Sequence, residues 1–263
     1  MKKNKWLYLE VLIIIVLGIV AFMYVNRKIS EKKYMDSQNE VREILTIDKN
    51  NTEENRIKNK SDSKTNVDKT DVSKVDGNDE LEYIEKLKLL RKKYPNIVSI
   101  IEIPNTSILY VVLQGDNNEF YLNHDKSGKY NPFGEVFLDS RNSSNFEDDN
   151  SILYGHNVKS SKTIFNELMN YRNKDFFKNH QDINIYTLEG LRSYKIQSIF
   201  IADPNENYRI TNFNSKYELE NFIDKYKEVS IVNGEEVSPK NRMLTLSTCF
   251  NNKERFVIQA IEK

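Results

Sequence analysis

Residues 7–25 read LYLEVLIIIVLGIVAFMYV, an apolar run broken only by Glu10. A helix needs about 20 apolar residues to cross roughly 30 Å of hydrocarbon, so this run is long enough to span a bilayer. Trp6, Tyr8 and Tyr24 stand near its ends, where aromatic rings suit the membrane interface. Glu10 lies close to the amino end, within reach of the head groups. The exit reads Phe22-Met23-Tyr24, with no small-residue cleavage site, which favours a retained anchor over a removed leader. A buried core helix is the competing reading; lysines on both flanks and the polar stretch that follows count against it. Charge does not orient the span. Lys2, Lys3 and Lys5 precede it, but Arg27, Lys28, Lys32 and Lys33 follow.

This run divides the chain. Residues 1–6 form a short tail and 7–25 the span. Residues 26–45 can continue as a helix with a sparse apolar set, Ile29, Tyr34, Val41 and Leu45. Residues 46–78 have no aromatic side chain, and their only aliphatics are Ile47, Ile57, Val67, Val72 and Val75. So little apolar area does not offset chain entropy. Residues 26–78 are therefore expected to be a polar, largely disordered tether. It either gives the following domain reach or is a linker of no special length. A globular domain is expected over 79–263, long enough to bury a core.

The chain has 39 basic and 39 acidic residues and no net charge, so no basic surplus is available to hold nucleic acid. One cysteine excludes an internal disulfide and a cysteine-rich zinc site. Three scattered histidines offer no metal-ligand spacing, and Glu147-Asp148-Asp149 reads more readily as a solvated loop than as a calcium site. No metal or cofactor is expected.

Within 79–263, Leu81, Ile84, Leu87, Leu90 and Tyr94 mark one face of a helix stopped by Pro95. Short β-branched and aromatic runs follow at 97–103, 108–114, 135–139, 151–154, 183–188, 193–202, 243–248 and 255–261. Glu189-Gly190 between two of them signals a hairpin. Helical patterns occur at 163–171 and 215–227. Many short strands with few helices predict a mainly β fold, a closed or partly closed barrel decorated by helices.

Cys249 ends the apolar run Met243-Leu244-Thr245-Leu246-Ser247-Thr248 and precedes a polar loop, which puts the thiol at a barrel rim. A lone cysteine is more often a small buried hydrophobe, but the polar flanks here weaken that reading. His156, in Leu153-Tyr154-Gly155-His156-Asn157, also ends a short apolar run. Its preceding glycine allows a tight turn that leaves the ring exposed. A neutral imidazole near a thiol takes or shares its proton, and the thiolate is the nucleophile. By residue type His124, next to Asp125, is an equal candidate; His180 reads as a surface residue at a helix end. Arg255 opens the last strand, six residues after the cysteine. Its guanidinium either favours thiolate and supplies donors to an oxyanion, or merely pairs with Glu254 or Asp182.

Thr245-Leu246-Ser247-Thr248-Cys249, Tyr154-Gly155-His156-Asn157 and Arg255-Phe256-Val257-Ile258-Gln259 together resemble the sortases, cysteine transpeptidases of Gram-positive bacterial surfaces. The likeness covers 79–263 and is most like class B. The stretches Ile101-Glu102-Ile103-Pro104-Asn105-Thr106 and 118–125, the amino-terminal helix and the helix at 215–227 carry the class. The resemblance implies a sortase barrel of about eight strands. It implies that Cys249 attacks the carbonyl after a Thr in a sorting motif near the carboxyl end of a secreted protein. His156 would protonate the leaving amine and deprotonate the incoming one, and Arg255 would hold the oxyanion. The acceptor would be an amine of a peptidoglycan precursor or cross-bridge. His124 would be structural. Leu122, Tyr208, Ser247 and Asn118 match positions near the family's sorting-signal groove. The loop from Cys249 to Arg255 is shorter than in some class B members. The implied location is the cell membrane, with the amino terminus cytoplasmic and the catalytic domain outside. Rival readings are a membrane-tethered cysteine endopeptidase that only hydrolyses, and a non-catalytic surface binding module.

Overall fold

The eight β-branched runs close into a barrel that buries one face of each strand inside it, while helices cover part of the outer face. The computed structural model describes residues 2–59, 77–232, 234, 235, 237, 241–251 and 253–263, with the side chains of the first helix described from 6 to 46. The strands are β1 (Ile97–Glu102), β2 (Leu109–Leu113), β3 (Val136–Leu138), β4 (Asn150–Tyr154), β5 (Asn157–Val158), β6 (Thr163–Ile164), β7 (Asp182–Thr187), β8 (Gly190–Ala202), β9 (Met243–Cys249) and β10 (Arg255–Glu262). A closed barrel runs β1-β2-β3-β4-β9-β10-β8-β7, and β5 with β6 forms a separate small hairpin. The expected barrel of about eight strands is thus found, each strand within a few residues of its predicted run. β2–β3 and β4–β9 pair in parallel and the other barrel neighbours antiparallel. Ile101, Val112, Leu138, Leu153, Ile185, Ile196, Leu246 and Ile258 lie in one buried core cluster of that barrel.

Among the described residues four α-helices surround it: α1 (Lys2–Asn59), α2 (Gly77–Lys93), α3 (Lys174–Asn179) and α4 (Lys216–Glu228). Ser215 caps α4, its hydroxyl accepting from Glu218 N, and α4 buries Leu219, Phe222, Ile223 and Tyr226 of its apolar set while Tyr217 is exposed. On α2 the buried apolar side chains are Tyr83, Leu87 and Leu90, with Leu81 exposed. The predicted face holds at Leu87 and Leu90, with Ile84 and Tyr94 half-buried, but Tyr83 replaces Leu81 on it, stacking on Tyr186 at 4.1 Å. The helix predicted at 163–171 is a second correction. Thr163 and Ile164 pair with Asn157 and Val158 as β6, and only Glu167–Arg172 winds into a 3-10 helix.

The largest departure concerns the expected tether. α1 is one helix of 58 residues. Among its described side chains, Tyr34, Gln38, Val41 and Leu45 are buried, at helical spacing along one stripe. Tyr34 joins the barrel core and meets Phe133 at 5.6 Å, while Val41 and Leu45 pack with Leu87, Leu90 and Ile97. Residues 34–45 are therefore part of the packed domain, which does not begin at 79. A stripe of four side chains suffices because the barrel supplies the other half of the contact. Residues 60–76 of the expected tether lie outside the described residues.

Polar bonds fix the helix in place. Gln38 Nε2 donates to Glu135 Oε2 at 2.7 Å, Lys126 Nζ to Ser37 O at 2.7 Å, and Arg42 Nη2 to Ser107 O at 2.7 Å. Burial pushes the Glu135 carboxyl up to about 7, against the opposing pull of Lys126 and Gln38. A raised carboxyl pKa means the folded state holds the proton more tightly than the unfolded chain. Stability then falls as pH rises from about 4.5 to about 7 and stays lowered above that. Glu135→Gln is expected to be the more stable chain at about pH 8, by at most about 3 kcal/mol, and equal to the parent near pH 4. Denaturant unfolding at both pH values checks this; a difference independent of pH rejects it.

Candidate active site

Strand register brings three predicted residues together. β9 and β10 are joined by a short polar turn, closed by Phe250 N donating to Glu254 O at 3.0 Å. Asn251 Oδ1 accepts from Lys253 N and Glu254 N inside it. This turn sets Cys249 directly opposite Arg255 across the antiparallel pair, so both side chains share one face. On the other side of β9, parallel β4 aligns Tyr154 with Ser247. Two residues further along each chain, His156 stands beside Cys249. Gly155 N donates to Ser247 O at 3.3 Å, and Asn157 Nδ2 to Cys249 O at 2.9 Å, which fastens the two strand ends.

Gly155 does not serve the turn geometry expected of it. A Cβ there would lie 2.8 Å from Ile164 Cγ2 and from Phe165 Cδ2, so glycine admits the β5–β6 hairpin against the strand end. The hairpin in turn carries Phe165 N to His156 O at 3.0 Å. The imidazole is half-buried rather than exposed.

His156 Nε2 lies 2.7 Å from Leu122 O. A carbonyl only accepts, so Nε2 carries the proton and Nδ1 is the nitrogen free to serve the thiol. The thiol and imidazole shift each other. His156 is raised above its ordinary value, first by Cys249 and then by the Leu122 carbonyl, with burial and Arg255 opposing. Cys249 is lowered, first by His156 and then by Arg255, with burial opposing. Such a pair favours thiolate beside imidazolium, the arrangement of an activated cysteine nucleophile.

Arg255 Nη1 donates to Glu254 O at 3.3 Å, while Asp182 pairs with Lys263 at 2.8 Å and the Glu254 carboxylate accepts from Asn251. The guanidinium on the Cys249 face thus offers donors where an oxyanion on a thiol-bound carbonyl would form. The other histidines lie apart from this cluster. His124 stacks on Phe120 at 4.1 Å and bonds Phe120 O through Nδ1, and half-buried His180 caps α3 and bonds Phe176 O.

The four groove candidates divide. The Leu122 side chain is partly exposed, and Asn118 Oδ1 accepts from Ser140 N at 2.7 Å. Tyr208 and Ser247 are buried, and their hydroxyls bond each other at 2.9 Å. Beside them Asp139 accepts both from Arg141 and from the Tyr154 hydroxyl. Burial raises the Asp139 carboxyl, but these donors outweigh it and hold the group at about 2.

Sequence reasoning missed Asn157, the Leu122 carbonyl and Gly134. Asn157 was visible only as the neighbour of His156, and a main-chain carbonyl leaves no residue-type signal. Gly134 has φ +59°, and a Cβ there would lie 2.3 Å from Tyr121 O and 2.7 Å from Leu122 O. It keeps open the backbone space beside the carbonyl that fixes the imidazole tautomer. Gly134→Ala is expected to cost about 2–4 kcal/mol, from left-handed strain plus overpacking. It should also displace the Leu122 carbonyl and shift the pH profile of activity. Unfolding and rate measurements check both, and parental stability in the alanine chain rejects the expectation.

A model of the Sortase domain matches residues 101–263. Sortase B of Listeria monocytogenes is 31% identical over 182 residues, covering 66% of this chain and 73% of that one. Sortase B of Staphylococcus aureus is 34% identical over 161 residues, covering 61% and 66%. The fold matches a Staphylococcus aureus sortase B–substrate complex with TM-score 0.71 at 24% identity, over 89% of this chain and 98% of that chain. It matches a sortase B complexed with triglycine with TM-score 0.64 at 32% identity, over 68% and 86%.

Proposed function

Because the chain belongs to the sortase family of cysteine transpeptidases and is similar to its class B members, we propose that Cys249, His156 and Arg255 carry its reaction. The substrate is a secreted protein with a sorting motif near its carboxyl end. The Cys249 thiolate attacks the carbonyl after the motif's Thr, and Arg255 donates to the oxyanion. The carbon–nitrogen bond breaks, the leaving amine takes its proton from the His156 imidazolium, and a thioester remains on Cys249. An incoming amine of a peptidoglycan precursor or cross-bridge gives its proton to His156 and attacks the thioester. Thiolate leaves, and the new amide releases the product. The observation that carries this reading is the placement of Cys249 opposite Arg255 in β-sheet register, with His156 two residues beyond the end of the adjoining strand β4.

Leu122 and Asn118 border the sorting-signal groove in this reading, and the buried Tyr208–Ser247 pair forms its floor. Residues 7–25 anchor the protein as a single span, with 1–6 cytoplasmic and the barrel outside, where secreted substrate and wall precursor both are. Among the described residues one helix is long and apolar enough for this, over Trp6–Thr46, and none of its apolar window is buried.

The test is product partition in a sorting-peptide assay. Adding hydroxylamine or a glycine-type amine is expected to divert the acyl group from water to amine. Triglycine is a fitting probe, since a related sortase B has been solved in complex with it. An unchanged partition would leave only the hydrolase reading, and a Cys249 inert to thiol reagents in the folded chain would leave only a binding module.

A further inference from the structure

α1 passes from the apolar run to the barrel without a break in the helix. Its last apolar turn and the candidate active site border the same space. Met23, Tyr24 and Arg27 line a cavity of about 720 Å³ together with Phe133, His156 and Lys159. At 1.5 Å per residue, Tyr34, locked in the barrel core, stands only about 15 Å along the helix from Tyr24. A span ending near Val25 therefore sets the β5–β6 hairpin and the His156 end of the barrel at the membrane surface. The expectation that 26–78 holds the domain off the membrane is reversed for the segment that directly follows the span.

The facing surfaces carry matching charge. Residues 26–33 and 157–164 hold Arg27, Lys28, Lys32, Lys33, Lys159 and Lys162 against a single carboxylate, Glu31, which pairs with Lys28 at 2.8 Å. Lys159 and Lys162 are exposed at the hairpin tip. A cationic surface continuous with the exit of a span meets the phosphates of the outer leaflet, and each lysine near an anionic bilayer contributes to holding it there.

We propose that this face, the exit of α1 with the Lys159–Lys162 hairpin tip, docks on anionic lipid head groups, so that the cleft at His156 opens at the bilayer surface. The proposal rests on the reading of 7–25 as a membrane span. Docking confines the enzyme to substrate whose scissile bond is presented within a few residues of the membrane.

The full chain in nanodiscs, with Cys249→Ala removing the native thiol, tests it. One set of discs is phosphatidylcholine alone, and another is phosphatidylcholine and phosphatidylglycerol in equal parts. Single fluorophores are placed through Lys159→Cys, Thr46→Cys or Met23→Cys and quenched by lipids bearing nitroxide on the head group. Thr46 is exposed and about 33 Å further along α1 than Tyr24. Strong quenching at 159 in the anionic discs, little at 46, and a roughly fivefold loss of the docked-to-free ratio on Lys162→Gln are expected. Equal weak quenching at 159 and 46 with strong quenching at 23 overturns docking while leaving the anchor intact. Absence of quenching at 23 as well overturns the anchor, and docking with it.

Discussion

Cys249→Ala is expected to abolish both cleavage of a sorting peptide and its transfer to amine, a loss on the order of 10⁴-fold or more. Loss of the nucleophile removes the covalent step itself, so the remaining groups have nothing to activate. The change leaves the fold alone, because Cys249 is half-buried at the end of β9 and its carbonyl, bonded by Asn157 Nδ2, is untouched. Cys249→Ser is expected to fail almost as completely. A hydroxyl is far less acidic than a thiol, and the His156 and Arg255 that lower the Cys249 pKa do not bring a serine to ionise near neutral pH. Peptide turnover, melting temperature and intact mass after incubation with substrate check these together. The parent should carry an acyl adduct and the alanine chain none. Turnover within about tenfold of the parent in a chain that lacks the thiol would remove Cys249 from the mechanism.

His156→Gln is expected to lower turnover by about 10³-fold, the range of a lost general acid–base group. Glutamine keeps a donor for the Leu122 carbonyl but neither releases nor takes a proton at Cys249. The pH profile is the more telling readout. The competent pair is thiolate with imidazolium, so the rate falls in acid as the thiolate is protonated and in alkali as the imidazolium loses its proton. His156 is raised chiefly by Cys249 and Cys249 lowered chiefly by His156, so both limbs of the bell belong to the coupled pair. Without the imidazole, the largest cause of the Cys249 shift disappears. The acid limb then moves to higher pH and the alkaline limb vanishes. A variant with the parent's bell would mean that another group holds the proton. Single-turnover rates across pH decide between these outcomes.

The strands were legible because each is a local pattern of β-branched and aromatic residues, read without knowing its neighbours. Cys249 and Arg255 were also nearly local. A short polar loop between two strand-like runs is a hairpin, and its register follows. His156 was a different case. By residue type His124 was its equal, and what separates them is the parallel pairing of β4 with β9, a contact between residues about 90 positions apart. The helix predicted over 163–171 failed for the same reason. Ile164 and Phe165 have helical spacing with Leu168 and Met169, but the hairpin that seats Phe165 N on His156 O takes the first residues away. The tether reading erred in part because Tyr34, Gln38, Val41 and Leu45 bury one stripe too sparse, and one residue too polar, to stand out. Only the barrel wall and Glu135 make that stripe a core.

The sequence by itself determined a span-length apolar helix, a β-barrel chain of eight strands and a small set of residues able to do cysteine chemistry, since periodicity, turn chemistry and residue type are written along the chain. Tertiary structure decided which histidine meets the thiol, which of its nitrogens is free, why residue 134 is glycine, and how closely α1 holds the domain to the apolar run. Each of these depends on a carbonyl, a strand partner or a helix face supplied from far along the sequence, and such neighbours exist only after the chain has closed.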